Sequence, residues 1–106
     1  MMQECDSQVF KEFASRIREI LPGSRILAYG SRARGDATPD SDFDICVVFP
    51  DAATDARKQI QEIAWEVGFD HELLIMALSY SETEFNQSVR VASSLMRNIR
   101  KEGIAA

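Results

Sequence analysis

The sequence predicts an α/β or α+β fold in which helices flank a small β-sheet. Three observations carry this. Apolar residues at helical spacing alternate with short apolar runs of strand type, in the order helix, strand, strand, helix, strand, helix. Pro-Gly, Gly and Pro-Asp steps punctuate the chain where the pattern changes. A chain of 106 residues, 45% hydrophobic, has material for one core, so residues 1–106 are expected to form one domain.

The elements follow in order. Val9, Phe10, Phe13, Ile17, Ile20 and Leu21 recur at helical spacing, with Asp6 or Ser7 as N-cap, and Pro22-Gly23 stops the helix. Arg25 to Tyr29 reads as a short, mostly apolar strand ending at Gly30. From Ser31 to Ser41 the chain turns to Ser, Arg, Gly, Asp, Thr and Pro, the chemistry of loops and short helical turns. Asp42 to Phe49 forms a second strand, closed by Pro50-Asp51. Thr54 caps a helix bearing Ala56, Ile60, Ile63, Ala64 and Val67, which Gly68 ends. Residues 71 to 78 read as a third strand. Ser81 with Glu84 makes a capping box that opens a short helix. A last helix carries Val91 or Ala92, Leu95, Met96 and Ile99 and stops at Gly103. No internal repeat, low-complexity tract or linker interrupts the series.

Charge narrows the function classes. Twelve Lys and Arg stand against 17 acids, a net charge of −5 and a pI near 4.8. That balance argues against a duplex-DNA binder working by phosphate neutralisation and suits a protein that holds carboxylates for a cation. No run approaches the ~18 apolar residues of a membrane span. The N-terminus lacks the basic start and apolar stretch of a signal peptide. Cys5 and Cys46 are too few for a disulfide scaffold and their spacing matches no zinc motif. Two reduced thiols and a cytoplasmic location are expected.

The chemistry concentrates in residues 30 to 44. Asp42 and Asp44 flank Phe43 at the start of a strand, so both point to one face while Phe43 and Ile45 point to the core. Adjacent carboxylates repel unless a cation sits between them, and oxygen-only ligands favour Mg²⁺ or Mn²⁺ over zinc. Gly30, directly after a strand, lets backbone approach a ligand closely. If Ser31 opens a helical turn, free N–H groups and a hydroxyl converge on an anion. Phosphates on one side and a metal dyad on the other describe a nucleoside triphosphate with its magnesium.

Gly30-Ser31, ten residues, then Asp42-x-Asp44 resembles the signature of the DNA polymerase beta-like nucleotidyltransferase superfamily. Within it, GSRARGDATPDSDFDICVV is similar to the minimal nucleotidyltransferases, and SYSETEF and LMRNIRKEGI extend the likeness over most of the chain. The resemblance implies that superfamily's fold, a small mixed sheet flanked by helices. It implies that Gly30 and Ser31 hold the β/γ-phosphates of ATP, that Arg32 and Arg34 add positive charge there, and that Ser41 belongs to the same nucleotide-binding set. Asp42 and Asp44 would bind divalent metals, one ion activating the attacking hydroxyl and the other steadying the triphosphate and leaving pyrophosphate.

The family's fuller pattern adds an acid on the strand after the second helix. Here Asp70, Glu72, Leu74 and Met76 share one face by strand parity, and Glu72 is the expected third catalytic and metal-binding carboxylate, although alignment back from SYSETEF falls nearer Leu74. His71, Trp65 and the methionines are read as ordinary solvated or core residues, and Cys46, on the Asp44 side but farther along the strand, as buried.

Three functions are compatible with these residues. The first is transfer of AMP from ATP to a hydroxyl; in similar proteins the acceptor is often a tyrosine of a HEPN-domain toxin, and the small enzyme serves as its antitoxin. The second is a binding module of the same fold that masks its partner without transfer. The third, transfer to a small molecule such as an aminoglycoside, usually needs a helical substrate domain, for which 106 residues leave no room. Polymerase and tRNA-end readings need nucleic-acid-gripping domains and are likewise disfavoured. The acceptor pocket is therefore expected to come from another chain, either a partner or a second copy.

Overall fold

The computed structural model describes residues 1–90 and 94–106. The order is α1 (Glu4–Ile20), β1 (Arg25–Tyr29), α2 (Gly30–Arg34), β2 (Phe43–Phe49), α3 (Ala56–Asp70), β3 (Ile75–Ser81), α4 (Glu82–Arg90), α5 (Ser94–Glu102) and β4 (Ile104–Ala105). The strands form one sheet in the order β3-β2-β1-β4. β1 runs antiparallel to β2 and to β4, and β2 runs parallel to β3 with α3 as the crossover. The sheet is therefore mixed, as expected.

Both faces of β2 are covered, which explains its nearly unbroken apolar run. On one face Phe43, Ile45, Val47 and Phe49 join Phe10, Phe13 and Ile17 of α1 and Ile60, Ala64 and Val67 of α3 in the main core. On the other, Cys46 and Val48 pack with Tyr29, Phe85 of α4, and Met96 and Ile99 of α5. Burial pushes the Cys46 thiol up to about 12, so it is an inert core residue on the Asp44 side. Among the described residues no helix is long and apolar enough to cross a membrane.

Several element ends differ from expectation for local reasons. α1 begins at Glu4 with Gln3 as N-cap, which puts Asp6 inside the first turn, buried, instead of capping. The N-cap of α3 is Asp55 in place of Thr54. Gly68 lies within α3, where a Cβ would stand 2.6 Å from the Leu73 carbonyl oxygen, so it permits the chain to fold back there and does not end the helix. The Ser81–Glu84 capping box forms reciprocally: Ser81 N–H donates to Glu84 Oε1 at 2.9 Å and Glu84 N–H to Ser81 Oγ at 3.1 Å. The expected Val91 or Ala92 start of the last helix lies outside the described residues. β4 is two residues long, too short to leave a periodic signal in sequence.

The largest correction concerns the third strand. It starts at Ile75, four residues later than the expected 71, because α3 continues to Asp70 and closes in a Schellman turn. Leu73 N–H donates to the Gly68 carbonyl at 2.9 Å and Glu72 N–H to the Phe69 carbonyl at 3.3 Å. Glu72 occupies the left-handed position of that turn with φ +56°. Its conformation belongs to helix termination and not to a strand.

Candidate active site

Register brings the two halves of the motif together. Tyr29, the last residue of β1, pairs with Asp44 of β2, so the chain leaving β1 at Gly30 passes directly beside the Asp44 side chain. Gly30 has φ +78°, and a Cβ there would stand 2.6 Å from Asp44 Oδ2. Both facts require glycine: the backbone conformation disfavours any other residue, and a methyl would displace the carboxylate. Gly30→Ala is expected to cost about 1–2 kcal/mol of stability, read as a lower midpoint of urea unfolding. A midpoint unchanged in the variant shows that neither the backbone conformation nor the close approach to Asp44 requires glycine.

Asp42 precedes β2 and is exposed, Phe43 turns into the core, and Asp44 is half-buried. The Asp44 carboxyl lies above its ordinary range, first through burial and then through the charge of Asp42, with Arg34 opposing. The Tyr29 hydroxyl is likewise held neutral by burial and then by Asp44. A half-buried carboxylate beside a second one is the donor set that a hard divalent cation stabilises, so Asp42 and Asp44 fit Mg²⁺ or Mn²⁺. Among the described residues no group of three or more His, Cys, Asp or Glu side chains is arranged to hold a metal ion.

The segment after Gly30 forms the one-turn helix α2, closed by Gly35, whose N–H donates to the Ser31 carbonyl at 2.9 Å. Ser31 is partly exposed at its start, directly after Gly30. Arg32 turns inward. Its Nη1 donates to Asp6 at 2.8 Å, its Nε and Nη2 to the Ser41 carbonyl at 2.9 and 2.7 Å, and Nη2 also to the Pro39 carbonyl at 3.2 Å. Where Arg32 was expected to add charge near phosphates, its guanidinium is buried and ties the 36–42 loop, and with it the start of β2, to α1. Arg34 is exposed and pairs with Asp36 and Glu102 at 3.3 and 3.1 Å. The Ser41 hydroxyl accepts the Thr38 N–H at 3.0 Å and so shapes the loop.

Glu72 is not brought to this site. The β2–β3 register places Met76, not an acid, beside Asp44, and Leu74 precedes it outside the strand. His71 lies 3.0 Å from Glu12, away from the acid pair. The pairing of Asp6 with Arg32 escaped the sequence reading, yet a signal was there: Asp6 continues the apolar stripe Val9, Phe10, Phe13 and Ile17 at helical spacing. An acid on a buried stripe needs a buried partner.

A family model of the nucleotidyltransferase domain matches residues 10–104. The chain belongs to that family. Two Methanocaldococcus jannaschii proteins, both named "putative protein adenylyltransferase", resemble this nucleotidyltransferase. One is 33% identical over 72% of this chain and 80% of its own length, the other 30% identical over 92% and 94%. A bifunctional uridylyltransferase/uridylyl-removing enzyme of Burkholderia vietnamiensis is 34% identical over 76% of this chain, which spans 10% of that enzyme's length. In fold, the nucleotidyltransferase is similar to a crystal structure of a toxin–antitoxin with AMP-PNP, at a TM-score of 0.62 and 20% identity over 90% of this chain and 69% of that one.

Proposed function

We propose that residues 1–106 form one cytoplasmic nucleotidyltransferase domain that moves AMP from ATP, with Mg²⁺ or Mn²⁺, onto a hydroxyl of a partner protein. In this reading the acceptor is a tyrosine of a HEPN-type toxin and the chain is its antitoxin. The observation that supports it is the close approach of the Gly30 backbone to Asp44, which brings the start of α2 beside a pair of carboxylates. The adenylyltransferase names of relatives covered over most of their length favour AMP, and the toxin–antitoxin fold neighbour favours a toxin partner.

Each residue has a task in that transfer. Asp42 and Asp44 hold the cation, which supplies positive charge against the triphosphate. Gly30 admits the phosphates close to the backbone, and the Ser31 hydroxyl with the unpaired N–H groups of the first turn of α2 binds their oxygens. Arg32, through Asp6 and the Ser41 carbonyl, fixes where Asp42 and Asp44 sit. The acceptor oxygen joins the α-phosphorus, the bond to the bridging oxygen breaks, pyrophosphate leaves, and the hydroxyl proton passes to solvent. Such transfer rests mainly on positioning and charge stabilisation.

Met76 beside Asp44 favours a second reading, in which the same surface binds the toxin without transfer. Intact-protein mass spectrometry separates the two. The chain is incubated with ATP, Mg²⁺ and a HEPN-domain toxin, with Asp42→Asn as control. An AMP-sized gain on the toxin, absent in the control, is the expected result. A stable complex with no gain establishes the masking module instead.

A further inference from the structure

The outward face of α3 carries features that neither the fold nor the acid site uses. Trp65 and Phe69 are 68% and 70% exposed, yet their rings stack on each other with centroids 5.3 Å apart and an interplanar angle of 16°. On the same helix face lies a shallow, open depression of 330 Å³ with mostly apolar lining, formed by Lys58, Gln61, Glu62, Trp65 and Glu66 of α3. Exposing two stacked aromatic rings next to an apolar depression is costly for an isolated surface.

The charges on the same helix say what covers it. Arg57 and Lys58 stand at its start and Glu62, Glu66 and Asp70 follow; its first turn has no acid and its last turn no base. That is opposite to the distribution that stabilises a helix dipole. Asp55, the N-cap residue, makes no side-chain capping bond. Arg57 is paired with Glu84 and Glu66 with Arg16, whereas Lys58, Glu62 and Asp70 make no ion pair among the described residues. A helix that is basic at the start and acidic at the end is complementary to an identical helix running the other way, in charge and in dipole alike.

We propose that the outward face of α3 is a self-complementary interface on which two copies of this chain pair their α3 helices antiparallel about a two-fold axis. Lys58 of each copy meets the acidic end of the other helix, so the pairing occurs twice, as an isologous interface demands. Phe69 of each copy packs onto the shallow apolar depression between Lys58 and Trp65 of the other. The stacked rings then form the apolar centre and the charges the rim. Asp44 lies on the opposite face of the sheet from α3, with Cys46 and Val48, so both acid sites stay open in the pair.

Sedimentation equilibrium of the full chain, from about 1 μM to about 1 mM, tests this together with the emission of Trp65, the sole tryptophan. The expected result is a mass rising from monomer to dimer with a blue shift of the emission over the same concentration range. Lys58→Glu is expected to weaken pairing at least about tenfold, and Lys58→Glu with Asp70→Lys to restore it, since the exchange returns opposite charges to facing ends. Circular dichroism confirms that these exposed substitutions leave the fold intact. A monomer at every concentration overturns the proposal. So does a dimer whose Trp65 emission does not move, or one unaffected by Lys58→Glu. A monomer whose emission shifts only on adding a toxin overturns it too, and assigns this face to a different protein.

Discussion

Replacing Asp44 with asparagine is expected to abolish nucleotidyl transfer while raising the melting temperature of the metal-free protein. The transfer arm rests on the proposed cation site: losing one of its two carboxylates would remove several kcal/mol of charge stabilisation, on the order of 10²–10³ in rate. The stability arm follows from linkage. Burial and then Asp42 raise the Asp44 carboxyl above its unfolded value, so the fold binds this proton more tightly than the unfolded chain does. That contribution is present at low pH and fades as pH rises through the unfolded and then the folded value, above which the ionised Asp44 stands against its surroundings. Asparagine keeps the shape without the charge. Mg²⁺ with ATP is expected to raise the melting temperature of the parent and not of the variant. A variant that is less stable than the parent without metal, or still stabilised by Mg²⁺ with ATP, refutes the assignment of Asp44.

Arg32→Met is expected to be the most destabilising single change in the site region. It leaves Asp6 buried without its partner and removes the donors to the Pro39 and Ser41 carbonyls. Breaking one side of a buried ion pair costs about 3–5 kcal/mol, a large part of the roughly 5–15 kcal/mol that holds a domain together. Pairing it with Asp6→Leu removes both charges and is expected to recover part of the loss. Urea unfolding of the two variants measures this. A loss below about 1 kcal/mol for Arg32→Met shows that the latch is dispensable. A double variant no better than the single one shows that the carbonyl bonds, not the ion pair, carry the effect.

Much of the architecture was legible because it is written in short-range patterns. Helical spacing marked α1 and α3, the RILAY and ICVVF runs marked β1 and β2, and Ser81 with Glu84 marked the start of α4, each a signal contained within a few residues. Spacing also brought Gly30, Ser31, Asp42 and Asp44 into one motif. The errors fell where a residue's role depends on what lies across the fold. Glu72 sat in a plausible strand until the end of α3 took it as the left-handed residue of a turn. Arg32 and Arg34 are near-identical in sequence context, yet one is buried on Asp6 and the other pairs at the surface with Asp36 and Glu102.

The sequence by itself determined that this chain builds a small sheet between helices and carries a Gly-Ser turn and an Asp-x-Asp pair, because periodicity and turn chemistry act locally. Only the tertiary structure decided that Tyr29 pairs with Asp44, that Gly30 presses against its carboxylate, that Met76 stands beside it, and that Arg32 is a latch. Those depend on strand register and on which helix closes over which loop. Both are set by packing between residues far apart in the chain.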